Sequence, residues 1–261
     1  MGGMLVECPC FGCPEPVLYV SKEQPLLVQN QKDIRGPVAR ARFSRRYWDA
    51  DFYGLAILAE FAQQPWASTI VLQPPPATDS SETEAELATL LQLAEAERPV
   101  RISEIVAQDG SGFLNYFLRL LMMSEESHPA TFKVIKAAAR VSEMLMAHYK
   151  MQYSRARPQQ LAPALMPPIP AQLHPAYPSG HAMMSRLIAL CLSDVVPDEY
   201  HAALLQLSAQ IAENREIAGV HFPSDSRGGQ SAAEQAHKIL ASGPLYAGLL
   251  KDARDEWSFV P

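Results

Sequence analysis

The sequence predicts an all-α helical bundle, and three observations predict it. Apolar residues recur at three- and four-residue spacing along most of the chain, β-prone runs are scarce, and Ser, Pro or Asp start signals precede several of the periodic stretches. With 261 residues, 48% of them hydrophobic and 19% charged, the chain is long enough to bury a continuous core without disulfide or metal staples. The expected organisation is an irregular N-terminal segment over 1–44 and a single helical domain over 45–261, with the chemistry concentrated over 127–240.

From Arg45 to Gln64 the residues Trp48, Phe52, Leu55, Ile57, Leu58 and Phe61 fall at helical spacing and predict a helix. Gln73 to Thr83 reads as a loop, and Ser81 with Glu82 and Glu84 starts a helix that runs to Glu97. A third helix is expected over Gly112–Met123. The fourth has Ser127 as cap, Pro129 in its first turn and a stripe of Val134, Ala138, Val141, Leu145 and Tyr149. It is expected to stop near Arg157, because Pro158 disfavours helical geometry in the residue before it. Seven of the 22 prolines lie between Pro158 and Pro178, a density expected to exclude regular helix or strand. A helix then opens at Ser179-Gly180-His181 and carries Met184, Leu187, Ile188, Cys191 and Val195. The next opens at Pro197-Asp198, carries Leu204, Leu207, Ile211 and Arg215, and ends at Gly219; Pro223 starts the last, with Ala232, Ala236, Ile239 and Leu240.

Composition narrows the partners. The formal net charge of −6 gives no global basic field to attract nucleic acid or anionic lipid. A mean hydropathy of −0.07, with no apolar run near eighteen residues, argues against a membrane span. The first residues show no basic region followed by an apolar one, so a cytoplasmic setting is expected, or a periplasmic one if the chain is a mature form. Gly2 is not followed by Ser or Thr at position 6, so the myristoylation pattern fails. Cys8, Cys10 and Cys13 crowd together without a fourth ligand at zinc spacing, which favours reduced thiols over a metal clip; no metal is expected.

The polar residues at the helix ends carry the chemistry. Lys150 and Arg157 are seven residues apart, two helical turns, and so are expected on nearly one face. The start of the helix at Ser179 and Gly180 offers free backbone N–H groups and the dipole to an anion, and Gly180 admits close approach. Arg215 adds a planar bidentate donor from a core-facing stripe. His221 and Asp225 are four residues apart around a helix start, so the carboxylate can hold one imidazole nitrogen and leave the other as a nucleophile. With His181 as a second imidazole, the set suits in-line phosphoryl transfer, one ring attacking phosphorus and the other protonating the leaving oxygen. Taken singly each has a plainer reading: a helix-end charge for Lys150, an N-cap for Ser179, a core histidine for His181, an ion-pair partner for Arg215 and a first-turn carboxylate for Asp225.

Lys150 with Arg157-Pro158 gives K-x6-R-P, Pro178 to His181 gives P-S-G-H, and Arg215, His221 and Asp225 give R-x5-H-x3-D. This resembles the three-part signature of the PAP2 superfamily, which joins class A acid phosphatases, lipid phosphate phosphatases and vanadium haloperoxidases. The resemblance implies a helical bundle in which Lys150, Arg157, Ser179, Gly180 and Arg215 bind phosphate oxygens. It implies His221 as the nucleophile that forms a phosphohistidine, Asp225 as its orienting partner, and His181 as the general acid that then activates water, without a cofactor. The expected substrate is a small phosphorylated molecule, with His174, Tyr177 and Gln159 of the proline segment as pocket candidates. Two positions depart from the pattern: Asn214 precedes Arg215 where Ser is usual, and Gln159 follows Pro158 where many acid phosphatases have Phe. The wording HPAYPSGHA, with His174 seven residues before His181, is similar to the haloperoxidase form, in which vanadate occupies the same pocket bonded to His221. A phosphatase is the preferred reading on length, a vanadate-dependent haloperoxidase is the alternative, and a non-catalytic anion-binding protein is the third. Soluble phosphatases of this kind commonly associate, so a homodimer is an expected option.

Overall fold

In the computed structural model, residues 43–170 and 172–258 are described, and among them no strand occurs. In chain order the helices are α1 (Ala50–Ala62), α2 (Trp66–Thr69), α3 (Ser81–Ala96), α4 (Arg98–Ala107), α5 (Leu114–Leu120), α6 (Pro129–Tyr153), α7 (Pro158–Leu161), α8 (Gly180–Ser193), α9 (His201–Ile217), α10 (Pro223–Leu240) and α11 (Pro244–Trp257). The all-α class is therefore the observed one. The irregular segment expected over 1–44 lies, apart from its last two residues, outside the described residues, as do Cys8, Cys10 and Cys13.

Helix α6 is the axis of the bundle, with α1, α8 and α11 packed along it and α9 and α10 packed on α8. Its buried stripe of Val134, Ala138, Val141, Leu145 and Tyr149 joins Ile57 and Phe61 of α1, Leu187 and Ile188 of α8, and Leu249 of α11 in one core. Two smaller clusters lie beside it. Ile105 packs with Ile169, Ile217 and Val220, and Leu90 of α3 packs with Leu165 and Phe222. They fasten α3 and α4 to the turn between α9 and α10.

Three helices that begin at proline are capped by a glutamate from another helix. Their N-cap residues supply no side-chain acceptor, so the free N–H groups of the first turn need one from elsewhere. Glu256 of α11 accepts from Ala130 N at 2.7 Å and Thr131 N at 2.9 Å in α6. Glu60 of α1 accepts from Leu245 N at 2.7 Å and Tyr246 N at 3.2 Å in α11. Glu86 of α3 accepts from Ser224 N at 2.7 Å in α10. Each carboxylate also meets the positive end of the helix dipole.

Several sequence expectations are corrected. The buried face of α1 carries Ala50, Tyr53, Gly54, Ile57 and Phe61, whereas Phe52 and Leu55 face solvent. Ser80, not Ser81, caps α3, its hydroxyl accepting from Thr83 N at 3.2 Å. Helix α6 stops at Tyr153, because Ser154 turns left-handed at φ 47°, so Arg157 lies off the helix that carries Lys150. Pro158 starts the short helix α7 rather than excluding one, since the N1 position needs no N–H donor and suits the proline φ. Helices α2, α4 and α11 fall in stretches where no helix was expected.

Gly228 and Gly229 set how closely α10 approaches its neighbours. A Cβ on Gly228 would stand 2.5 Å from the Tyr177 ring, and one on Gly229 would stand 2.5 Å from the Ser179 carbonyl oxygen. The start of α8 and the end of the proline segment are thereby held against α10, with Ser179 N donating to Asp225 O at 2.9 Å.

Candidate active site

The middle of α6, Arg157 beyond its end, the start of α8, and the turn between α9 and α10 meet around a cavity of about 320 Å³. Arg157, His174, Gly180, His181, Arg215 and His221 all line it.

The turn that carries His221 begins where Gly219, at φ 77°, ends α9, and it closes at Pro223, the first residue of α10. Asp225 lies in the first turn of α10. Its Oδ2 accepts from Phe222 N at 2.9 Å and stands 3.2 Å from His221 Nδ1. Because a buried carboxylate faces Nδ1, the neutral ring keeps its proton there and presents Nε2 as a bare lone pair. Burial, reinforced by the charges of Lys150 and Arg157, holds the His221 pKa well below its ordinary value. The ring is neutral at neutral pH, the state a nucleophile needs. For Asp225, burial raises the pKa against the opposing pull of Arg155.

His181 presents its ring from the first turn of α8. Its Nε2 lies 3.1 Å from Gln108 O, and the ring packs against Phe113 with centroids 5.1 Å apart. Burial first, and then the neighbouring Arg215, take its pKa down to about 4. A negative charge placed in the cavity opposes both effects and favours the protonated form.

Arg215 is buried, and it is the least satisfied cation of the site. Its Nη2 donates to Ile105 O at 2.7 Å and its Nη1 lies 3.7 Å from Asp109 Oδ1, while Nε and Nη1 have no hydrogen-bond partner among the described residues. A buried donor without an acceptor costs about 1–3 kcal/mol, which an anion in the cavity would remove.

The other cations are held more fully. Arg157 donates through Nε to His174 O at 2.8 Å, and through Nη1 to Gln172 Oε1 at 3.0 Å and Val220 O at 2.8 Å. Its Nη2 lies 3.0 Å from Nδ1 of the exposed His174. Lys150 does not line the cavity; its Nζ donates to the carbonyls of Pro175 and Ala176. Although they do not share a helix face, Lys150 and Arg157 converge on the Pro175 carbonyl. Burial, with Arg157 adding to it, takes the Lys150 pKa down to about 7. Ser179 is also one layer back, capping α8 through Ala182 N at 3.4 Å. Gly180 lines the cavity, where a Cβ would meet Met146 Sδ at 2.3 Å.

Two pocket candidates are placed elsewhere. Tyr177 lines a separate cavity beside Pro74, Pro75 and Pro76, and its hydroxyl donates to Gln73 O at 2.6 Å. It is a packing anchor against α10, not a wall of the histidine cavity. Gln159 does not line that cavity either. The outer wall is formed instead by Phe113, Leu114, Met146 and Met184, and by an ion-pair network in which Asp51 lies 3.2 Å from Lys136 and 2.8 Å from Arg140.

The sequence reading missed the supporting groups. Asn214 donates through Nδ2 to Gln108 Oε1 at 2.9 Å and accepts from Arg101 at 3.2 Å, so it ties α9 to the turn that holds His181. Arg155 donates to Asp225 Oδ1 at 2.7 Å and to Glu86 Oε2 at 3.1 Å. The only sequence signal for Arg155 is a further cation two residues before Arg157; nothing local points to Glu86, 69 residues away. Among the described residues no group of three or more His, Cys, Asp or Glu is arranged to hold a metal ion.

A family model described as PAP2 superfamily matches residues 134–233, the stretch that contains these motifs. A non-specific acid phosphatase from Providencia stuartii is 32% identical over 83 residues, which make up 32% of this chain and 33% of that protein. The chain thus spans about a third of the length of that curated relative. The crystal structure of a transmembrane PAP2 type phosphatidylglycerolphosphate phosphatase from Bacillus subtilis aligns at a TM-score of 0.47 with 16% identity, covering 72% of this chain and 94% of that one. The expectation of a cytoplasmic setting is not carried forward; the transmembrane character is that of the Bacillus subtilis protein. Among the described residues no helix is long and apolar enough to cross a membrane, a fact that assigns no compartment.

Proposed function

We propose, on the match of a PAP2 superfamily model to residues 134–233, that the chain hydrolyses a phosphate monoester or diphosphate through a phosphohistidine on His221, without a metal ion. The observation that carries this reading is a buried Arg215 with two unpartnered donors on the same cavity as the His221 and His181 rings. That cavity suits a phosphoryl group: cationic donors meet the oxygens, a neutral imidazole attacks phosphorus, and a second imidazole serves the leaving oxygen.

In the first step His221 Nε2 forms the N–P bond as the P–O bond to the alcohol breaks, and His181 delivers the proton that the alkoxide takes. In the second, neutral His181 takes a proton from water as its oxygen attacks phosphorus and the N–P bond breaks, releasing phosphate. Asp225 holds the His221 ring and stabilises its positive charge in the intermediate, by the logic of a carboxylate–histidine pair. Arg215, with the N–H groups that open α8 at Gly180 and His181, stabilises the equatorial oxygens. Arg157 and Lys150 add positive potential from beside and behind the cavity.

The test is hydrolysis of a generic aryl phosphate in EDTA by the wild type and His221→Ala. The reading expects turnover by the wild type and none by the variant. Loss on chelation, or bromide oxidation with vanadate and peroxide in place of ester hydrolysis, would overturn it.

A further inference from the structure

The segment matched by the family model begins at residue 134, yet the carboxylate that holds the nucleophile in place is tied to a residue well before it. Arg155 is 7% exposed, with its guanidinium 3.9 Å from the centroid of the Phe222 ring. One nitrogen, Nη1, donates to both Asp225 Oδ1 and Ser224 Oγ at 2.7 Å. The other, Nη2, donates to Glu86 Oε2 at 3.1 Å. Glu86 in turn accepts from Ser224 N and from Ser224 Oγ, each at 2.7 Å. One oxygen of Asp225 thus belongs to Arg155 and the other to the His221 turn.

We propose that Arg155 and Glu86 are positioning residues for the nucleophile: Glu86 of α3 fixes Arg155, Arg155 fixes the Asp225 carboxylate, and Asp225 aims the His221 ring. The reason lies in the carboxylate's freedom. A carboxylate held through one oxygen rotates about its Cβ–Cγ bond, whereas one bonded through both oxygens from opposite sides has a fixed plane. A ring positioned by a fixed carboxylate meets phosphorus in line in a larger share of encounters. Glu86 restrains Arg155 through the guanidinium nitrogen that Asp225 does not use, and the Phe222 ring covers the guanidinium face. The groups are coupled, so removing one loosens the next, although neither Arg155 nor Glu86 lines the histidine cavity.

The inference rests on the phosphohistidine reading, and the experiment separates the two. Steady-state hydrolysis of an aryl phosphate is measured for the wild type, Arg155→Ala, Arg155→Lys, Glu86→Gln, Asp225→Asn and the double variant Arg155→Ala/Asp225→Asn, with the inhibition constant of inorganic phosphate for each. Arg155→Ala is expected to lower kcat about 10–100-fold while KM and the phosphate constant move less than about threefold. Arg155→Lys, which keeps one donor, recovers part of kcat, and Glu86→Gln lowers it less than Arg155→Ala. In the Asp225→Asn background the Arg155 substitution adds less than about threefold, since both act through one contact. A structural role instead gives full, multiplied losses in the double variant, and that result overturns the inference, as does an unchanged kcat in folded Arg155→Lys and Glu86→Gln. If Arg155→Ala does not fold, those two variants decide. If the wild type hydrolyses no phosphate ester, or His221→Ala retains activity, the underlying reading fails and this inference with it; an inactive His221→Ala with fully active Arg155 variants removes this inference alone.

Discussion

Oδ2 of Asp225 stands 3.2 Å from His221 Nδ1 and accepts the Phe222 N–H at 2.9 Å, so one carboxylate oxygen both opens α10 and orients the ring beside it. Structure and chemistry share an atom here. Asp225→Asn is expected to keep a first-turn acceptor for the helix while removing the charge that stabilises a cationic His221. Activity should fall about 10²–10⁴-fold with a modest change in melting temperature, whereas His221→Ala leaves no measurable turnover. Parallel loss of fold and activity in Asp225→Asn, seen by circular dichroism, would show the carboxylate to be structural.

Arg215 is the second test of the geometry. Its unpartnered Nε and Nη1 are expected to become hydrogen-bonded as charge develops on the phosphoryl oxygens. Arg215→Ala should lower kcat/KM about 10²–10³-fold, the usual size for one oxyanion donor. Arg215→Lys, a point charge without the planar fork, should recover only a small part of it. Equal kcat/KM for wild type and Arg215→Ala would remove Arg215 from the site.

Anion binding should take up protons. In the free protein burial depresses Lys150 to about 7 and His181 to about 4, so around neutral pH part of Lys150 and nearly all of His181 are uncharged. A dianion in the cavity favours both charged forms, so both pKa values rise and affinity weakens as pH rises above about 7. Sulfate is the probe because its own charge is constant there. Titration calorimetry in two buffers of different ionisation enthalpy should report net uptake of a fraction of a proton or more near pH 7.5. Sulfate binding without proton exchange contradicts the prediction.

Close approach at Gly229 should prove specific. An alanine there brings its Cβ to 2.5 Å from Ser179 O and 3.0 Å from Met183 N, and backbone cannot yield as a side chain tip does. Gly229→Ala is expected to cost about 1–3 kcal/mol of stability and to lower kcat by displacing the start of α8. Gly248→Ala, where nothing lies within 4 Å of the added carbon, serves as the control. A Gly229→Ala protein as stable and active as the control would show that this contact does not position the site.

How far the sequence could be read follows from the range of the interactions. Most long helices showed in periodicity, and the His221–Asp225 contact showed in spacing, because each depends on residues within a few turns, whereas the partners of His181 and Arg215 lie 73 and 110 residues away. The helical reach from Lys150 to Arg157 failed because one left-handed residue, Ser154, ends α6 early. The sequence left Tyr177 either a pocket wall or a packed loop anchor, and the missing side chain of Gly228, which gives its ring a seat against α10, favours the anchor. The glutamate caps are invisible locally, since Glu60, Glu86 and Glu256 each serve a helix start more than 120 residues away in sequence. For the same reason α11 was missed, as its start is satisfied by α1 rather than by its own flanking residues.

The most direct test of the central claim is the chemical identity of the intermediate. A phosphorus-labelled aryl phosphate is mixed with the protein, the reaction is quenched in alkali, and the labelled peptide is sequenced, using His181→Asn to slow breakdown. The account predicts label on His221, stable to alkali and lost in acid, and none in His221→Ala. Label on another residue, or burst kinetics with label persisting in His221→Ala, would contradict it.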